Sequence, residues 1–223
     1  MIVTIDGPAG AGKSTVARAL AARLGYRFLD TGAMYRAVAL AALRRGVDGS
    51  DFQAMADLAR QVDIQLEGDR VYLDGEDVSD AIRSSELTEV IRYAADNPGV
   101  RERLVELQRR IGSNGDMVTE GRDQGSVVFP EAQCKIFLTA TPEERARRRV
   151  LELRARGERV SFDEILASQE QRDHRDSRRA VGPLVKAEDA VQVLTDGMTF
   201  DVVVQRLEDI VAQRRDKMPD VAS

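Results

Sequence analysis

Near its start the chain reads Gly7-Pro8-Ala9-Gly10-Ala11-Gly12-Lys13-Ser14, followed by Thr15. This fits G-x-x-x-x-G-K-[ST], the phosphate-cradling P-loop pattern. Its setting agrees with its letters. Ile2, Val3 and Ile5 lie in an apolar run short enough for a buried strand. Val16, Ala17, Leu20, Ala21 and Leu24 follow at helical spacing, and Gly25 stands where a helix would stop. Glycines let backbone N–H groups approach a polyphosphate closely, and the helix opening at Lys13 directs its positive end to the same place. Lys13 adds a mobile charge, and the Ser14 hydroxyl suits a Mg²⁺ ion. Nucleoside triphosphate binding is implied; the acceptor is not.

Such a loop requires an α/β core, and the rest of the chain has the right rhythm. Arg27-Phe28-Leu29-Asp30 reads as a second strand, and residues 33–45 as a helix closed by Gly46, with Asp30 or Thr31 as its cap. Tyr35 and Arg36 fall just after a strand end, the edge where open α/β sheets take ligands. Spacing alone leaves Arg36 equally suited to a solvated helix face. A helix from Ser50-Asp51-Phe52 to about Gln61 comes next. Val62, Ile64 and Leu66 then alternate with polar residues, Glu67-Gly68-Asp69 and Asp74-Gly75 are turns, and the period becomes that of antiparallel strands. Residues 62–92 are therefore expected to be a small inserted domain. Residues 1–61 and 93–223 are expected to be the core.

Met117-Val118-Thr119 is a strand candidate ending at Glu120-Gly121-Arg122-Asp123. Glu120 suits a Mg²⁺-bound water; Arg122 and Asp123 either face a ligand or pair with each other. Residues 135–138 and 191–194 are further strands. Thr141-Pro142-Glu143-Glu144 and Ser161-Phe162-Asp163-Glu164 both read as capping boxes. They open two arginine-rich helices around a polar linker, residues 156–161, the composition of a mobile lid at about 145–180. Arg172, Asp176 and Arg179 are spaced for one helical face, which is also the spacing of an exposed, salt-bridged helix. Residues 200–214 are an amphipathic closing helix, and 216–223 a frayed tail. A five-stranded parallel sheet with helices on both faces is expected.

Composition narrows the function. The net charge of −5 disfavours a general nucleic-acid or membrane-surface role. Lysine occurs only at Lys13, Lys135, Lys186 and Lys217, so arginine carries the positive charge, which suits forked phosphate recognition. Cys134 and His174 are the sole residues of their types, so one chain holds no disulfide and no Cys/His metal site. The longest apolar stretch, residues 37–43, is too short to span a membrane, and with a strand expected near Met1 no signal peptide is expected. A monomeric cytoplasmic enzyme is expected, with no nucleic-acid or membrane partner.

Taken in order, five segments make the chain resemble a bacterial-type cytidylate kinase of the P-loop nucleoside monophosphate kinase superfamily, over essentially its whole length. They are the P-loop, Asp30-Thr31-Gly32-Ala33-Met34-Tyr35-Arg36, the inserted hairpins, Glu120-Gly121-Arg122-Asp123-Gln124-Gly125-Ser126-Val127-Val128-Phe129-Pro130, and Arg172-Asp173-His174-Arg175-Asp176. The resemblance implies γ-phosphoryl transfer from ATP to CMP or dCMP with Mg²⁺. It implies ATP on Gly7, Pro8, Ala9, Gly10, Ala11, Gly12, Lys13, Ser14 and Thr15, with lid arginines of the Arg145, Arg147, Arg148, Arg149 run, Arg148 among them, closing over it. Ser14, and Glu120 through water, would hold the metal. Arg36, Arg122 and Arg179 would hold the acceptor phosphate, Arg101 and Asp123 would read cytosine, and Arg172 and Asp176 would meet the sugar. Thr31 and Tyr35 belong to the same acceptor set, and Lys13, Arg122, Arg172 and Arg179 would carry catalysis. Thr31 and Arg92 stand where the family pattern has serines, the second of which meets cytosine. The alternative is a kinase preferring UMP or another small acceptor; a nucleotide-dependent switch is the competing class. No general base is evident, and a phosphate monoester needs none near neutral pH. Guanidiniums clustered without an anion repel, so an open arrangement is expected before ligands bind.

Overall fold

The computed structural model describes residues 1–155 and 157–217, apart from the side chain of Ser85. Arg156 at the head of the expected linker and residues 218–223 of the expected tail lie outside the described residues. The elements are β1 (Ile2–Asp6), α1 (Lys13–Leu24), β2 (Arg27–Asp30), α2 (Thr31–Arg45), α3 (Phe52–Gln61), β3 (Ile64–Glu67), β4 (Arg70–Leu73) and β5 (Glu76–Asp77). Then come α4 (Thr88–Asp96), α5 (Pro98–Gly112), β6 (Met117–Gly121), β7 (Cys134–Thr139), α6 (Pro142–Ala155), α7 (Phe162–Ser177), β8 (Val191–Leu194) and α8 (Phe200–Arg215).

The chain divides into two compact units. One comprises Met1–Phe28 and the chain from Asp116 onward; the other is Leu29–Gly115. A five-stranded sheet runs in the order β2-β6-β1-β7-β8, with β1 parallel to both β6 and β7, and β7 parallel to β8. A strand flanked on both sides and covered on both faces must be apolar. Val3 and Ile5 of β1 are accordingly fully buried among Val118, Ile136, Leu138, Val16 and Leu20. Val203, Leu207 and Val211 of α8 close the same core. Each such side chain contributes about 1.5–3 kcal/mol on leaving water. Cys134 is fully buried here, and burial pushes its thiol up to about 12. No helix among the described residues is long and apolar enough to cross a membrane.

In the second unit β3, β4 and β5 form a three-stranded sheet, antiparallel as the alternation implies. This unit is wider than the expected insertion at 62–92. The hairpins are stapled to α2, where Arg44 forks onto Glu76 at 2.8 and 2.9 Å and Arg45 meets Asp74 at 2.7 Å. Asp30 caps α2 by accepting from the Ala33 N–H, and Asp51 caps α3 by accepting from Ala54.

The Asn97 side chain joins three segments of this unit. It accepts from the Gly99 and Val100 N–H groups at the start of α5, and donates to the Phe52 carbonyl at 2.8 Å. It is 2% exposed, so water does not replace what it loses. Asn97→Ala is expected to lower unfolding free energy by about 2–4 kcal/mol in urea titrations.

Candidate functional site

The glycine loop joins β1 to α1. Gly7 lies against the backbone of β7: a Cβ there would sit 1.9 Å from the Leu138 carbonyl oxygen. Gly10 has φ +75°, and its Cβ would meet the Gln169 side chain at 2.6 Å. Gly7 accepts no other residue without moving backbone, and at Gly10 the left-handed φ strains any side chain besides displacing the Gln169 amide. Lys13 opens α1, is 5% exposed, and donates its ammonium to the Pro8 carbonyl at 2.8 Å. Burial, then the charges of Arg122 and Arg172, pushes its pKa down to about 7 against the pull of Glu120 and Asp6. A polyphosphate placed here would supply the missing negative charge.

Ser14 donates its hydroxyl to Glu120 at 3.0 Å, joining the start of α1 to the end of β6. Two hard oxygen groups at a phosphate cradle fit a Mg²⁺ ion that takes its other ligands from nucleotide and water. Among the described residues no group of three or more acidic, His or Cys side chains is placed to hold a metal ion.

Arg122, Arg172 and Arg179 are gathered around one carboxylate. Asp176 takes Arg122 Nε at 2.8 Å and Arg179 Nη2 at 2.6 Å, with Arg172 Nε at 4.0 Å. Burial raises the Asp176 pKa, but Arg122 and Arg179, with Arg172, outweigh it and hold the carboxyl below its ordinary range. Asp176 thus supplies a counter-charge for these guanidiniums. Arg179 also lies beyond α7, which ends at Ser177, and folds back onto Asp176 rather than extending a helical face.

Arg148 is engaged with Glu144 at 2.9 Å and with the Thr195 hydroxyl and carbonyl at 3.0 and 2.8 Å. This also halves the expected capping box at Thr141. The Thr141 hydroxyl accepts from Glu144 N–H, but the Thr141 N–H goes to Asp196 because Glu144 is committed to arginines. The box at Ser161 and Glu164 is complete. The arginine that does reach the glycine loop is Arg145, 4% exposed, which donates to the Ala9 carbonyl at 2.9 Å.

In the second unit Thr31 is buried, and Arg101, 3% exposed, donates to the Tyr35 hydroxyl at 3.2 Å. Arg36 reaches the Ile82 carbonyl at 3.5 Å. Arg92 turns along its own helix, to Glu89 at 3.5 Å and over the Tyr93 ring at 4.7 Å.

Asp6 is a site residue that spacing did not single out, although it directly precedes Gly7. Its carboxylate accepts from the Gln124 N–H at 2.8 Å and the Gly125 N–H at 2.7 Å, the residues that follow Asp123. It thus joins the glycine loop to the turn after β6. Burial raises its pKa to about 6; the two backbone donors and Lys13 resist, and Asp123 adds to the rise. A folded pKa above the ordinary 3.8 favours the protonated folded state. The stability from this group is full at low pH and lost as pH climbs toward about 6, by an amount on the order of 3 kcal/mol. The unfolding free energy of wild type minus that of Asp6→Asn should therefore fall between about pH 4 and about pH 7. A flat difference in urea titrations would contradict this assignment.

Comparison with known proteins agrees with this geometry. The family model for cytidylate kinase matches residues 3–213. Cytidylate kinase of Rhodopirellula baltica is 52% identical over 96% of this chain and 93% of its own. That of Mycobacterium leprae is 49% identical over 96% of both chains. The crystal structure of shikimate kinase from Bacteroides thetaiotaomicron shares the fold at a TM-score of 0.51 and 15% identity, covering 95% of this chain and 98% of that one. With a glycine cradle, a buried P-loop lysine and a near-complete match to one family, the chain belongs to the cytidylate kinase family.

Proposed function

We propose that the chain transfers the γ-phosphoryl group of ATP to CMP or dCMP, giving ADP and CDP or dCDP. The observation that carries this reading is the pairing, within one unit, of a P-loop lysine with the arginine cluster on Asp176; Arg122 and Arg172 both act electrostatically on Lys13. Two phosphate-sized anions brought to such a site need opposing positive charge between them, and both groups supply it. Residues 7–15 cradle the donor, with Lys13 on its β- and γ-phosphates. Ser14, and Glu120 through water, would hold Mg²⁺, which would supply charge neutralisation on the phosphates. Arg122 and Arg179 take the acceptor phosphate with Arg36, exchanging Asp176 for a dianion. Arg172 and Asp176 then meet the sugar. Asp123, 4% exposed, accepts from the cytosine amine, with Arg101 as the second base contact and Thr31 and Tyr35 in the same acceptor set. The acceptor is already ionised near neutral pH, so no side chain needs to remove a proton.

An ADP-release assay across CMP, dCMP, UMP, AMP and shikimate tests the reading. CMP and dCMP should be the best acceptors; equal or faster turnover of another would overturn the substrate assignment. Lys13→Ala should lower kcat by about 10²–10³-fold or more while the protein stays folded. Asp123→Ala should raise the CMP KM by roughly 10–100-fold and leave the ATP KM nearly unchanged. Equal losses for every acceptor would show that Asp123 does not read the base.

A further inference from the structure

One face of α7 touches both halves of the chemistry. Gln169, Asp173 and Asp176 follow one another at i, i+4 and i+7. Asp176 gathers Arg122 and Arg179, as described. Gln169 packs on Gly10, and its amide donates to the Arg145 carbonyl at 3.4 Å. Asp173 accepts the Ala9 N–H at 3.3 Å with one oxygen and Arg145 Nη1 at 2.5 Å with the other. Arg145 Nη1 also donates to the Ala9 carbonyl. The N–H and the carbonyl of this one P-loop residue are thus both held by the Asp173–Arg145 pair, and Arg145 is secured from behind by the Ala140 carbonyl at 3.1 Å.

Side chains on one helical face are fixed relative to one another by the helix itself. The contact at Asp173 therefore sets where Asp176, and with it Arg122 and Arg179, lies relative to the glycine loop. We propose that Asp173 is a positioning residue that couples donor binding to acceptor binding. It docks α7 on Ala9, so that a nucleotide ordering the loop also orders the guanidinium cluster. This rests on the reading of residues 7–15 as the donor site and of the cluster as the acceptor-phosphate site. Asp173 itself touches neither reacting phosphate.

Linkage makes such coupling measurable without turnover. The dissociation constant of CMP is determined by calorimetry on the full chain, with and without the non-hydrolysable donor adenylyl imidodiphosphate and Mg²⁺. The wild type should bind CMP roughly tenfold tighter with the donor present, and donor binding should tighten by the same factor with CMP present. In Asp173→Ala that factor should fall to about one, while CMP binding in the absence of donor changes by less than about threefold. Asp173→Asn retains an acceptor for the Ala9 N–H but loses the ion pair, and should give an intermediate factor; it also serves if the alanine variant does not fold. A merely structural role would weaken CMP equally with and without donor. Undiminished coupling in both variants, or no coupling in the wild type, overturns the role of Asp173. Failure of the wild type to bind either nucleotide overturns the functional reading beneath it as well.

Discussion

A guanidinium requires a counter-charge whether or not its substrate is present. In this chain one carboxylate, Asp176, 1% exposed, meets that requirement for Arg122 and Arg179 together. Taking it away would leave two partly buried cations facing each other, a more serious loss than the value of any single ion pair. The guanidiniums are accordingly held together on one carboxylate rather than scattered. On the proposed reading, an incoming phosphate would replace one anion by another of higher charge.

The parallel core was legible because its evidence is local. The apolar run at Ile2, Val3 and Ile5, the glycines of the loop and the helix stops at Gly25 and Gly46 each act within a few residues, and each formed the expected element. The hairpins were equally plain from alternation at Ile64 and Leu66. What spacing missed depends on distant partners. Four arginines crowd the segment from Arg145 to Arg149, and nothing in their order says which reaches the glycine loop. Arg145 does so because it lies on the buried side of α6, while Arg148 is drawn to Thr195. The capping box at Thr141 failed in half for a similar reason: Asp196 competes for the Thr141 N–H from beyond β8. Arg179 reads as a continuation of helical spacing, yet α7 stops before it.

Several of these contacts meet in the backbone. Asp6 accepts two N–H groups from the turn after β6, Asn97 two from the start of α5, and Asp173 of α7 with Arg145 of α6 holds both polar groups of Ala9. Buried main-chain groups must be paired somewhere, and this chain uses the pairing to fix its loops.

Because the clasp at Ala9 recognises a peptide rather than a side chain, the identity of that residue is nearly invisible to it. What the side chain must satisfy there is packing, since Ala9 is 6% exposed. Main-chain recognition thus separates the shape of the cradle from its spelling.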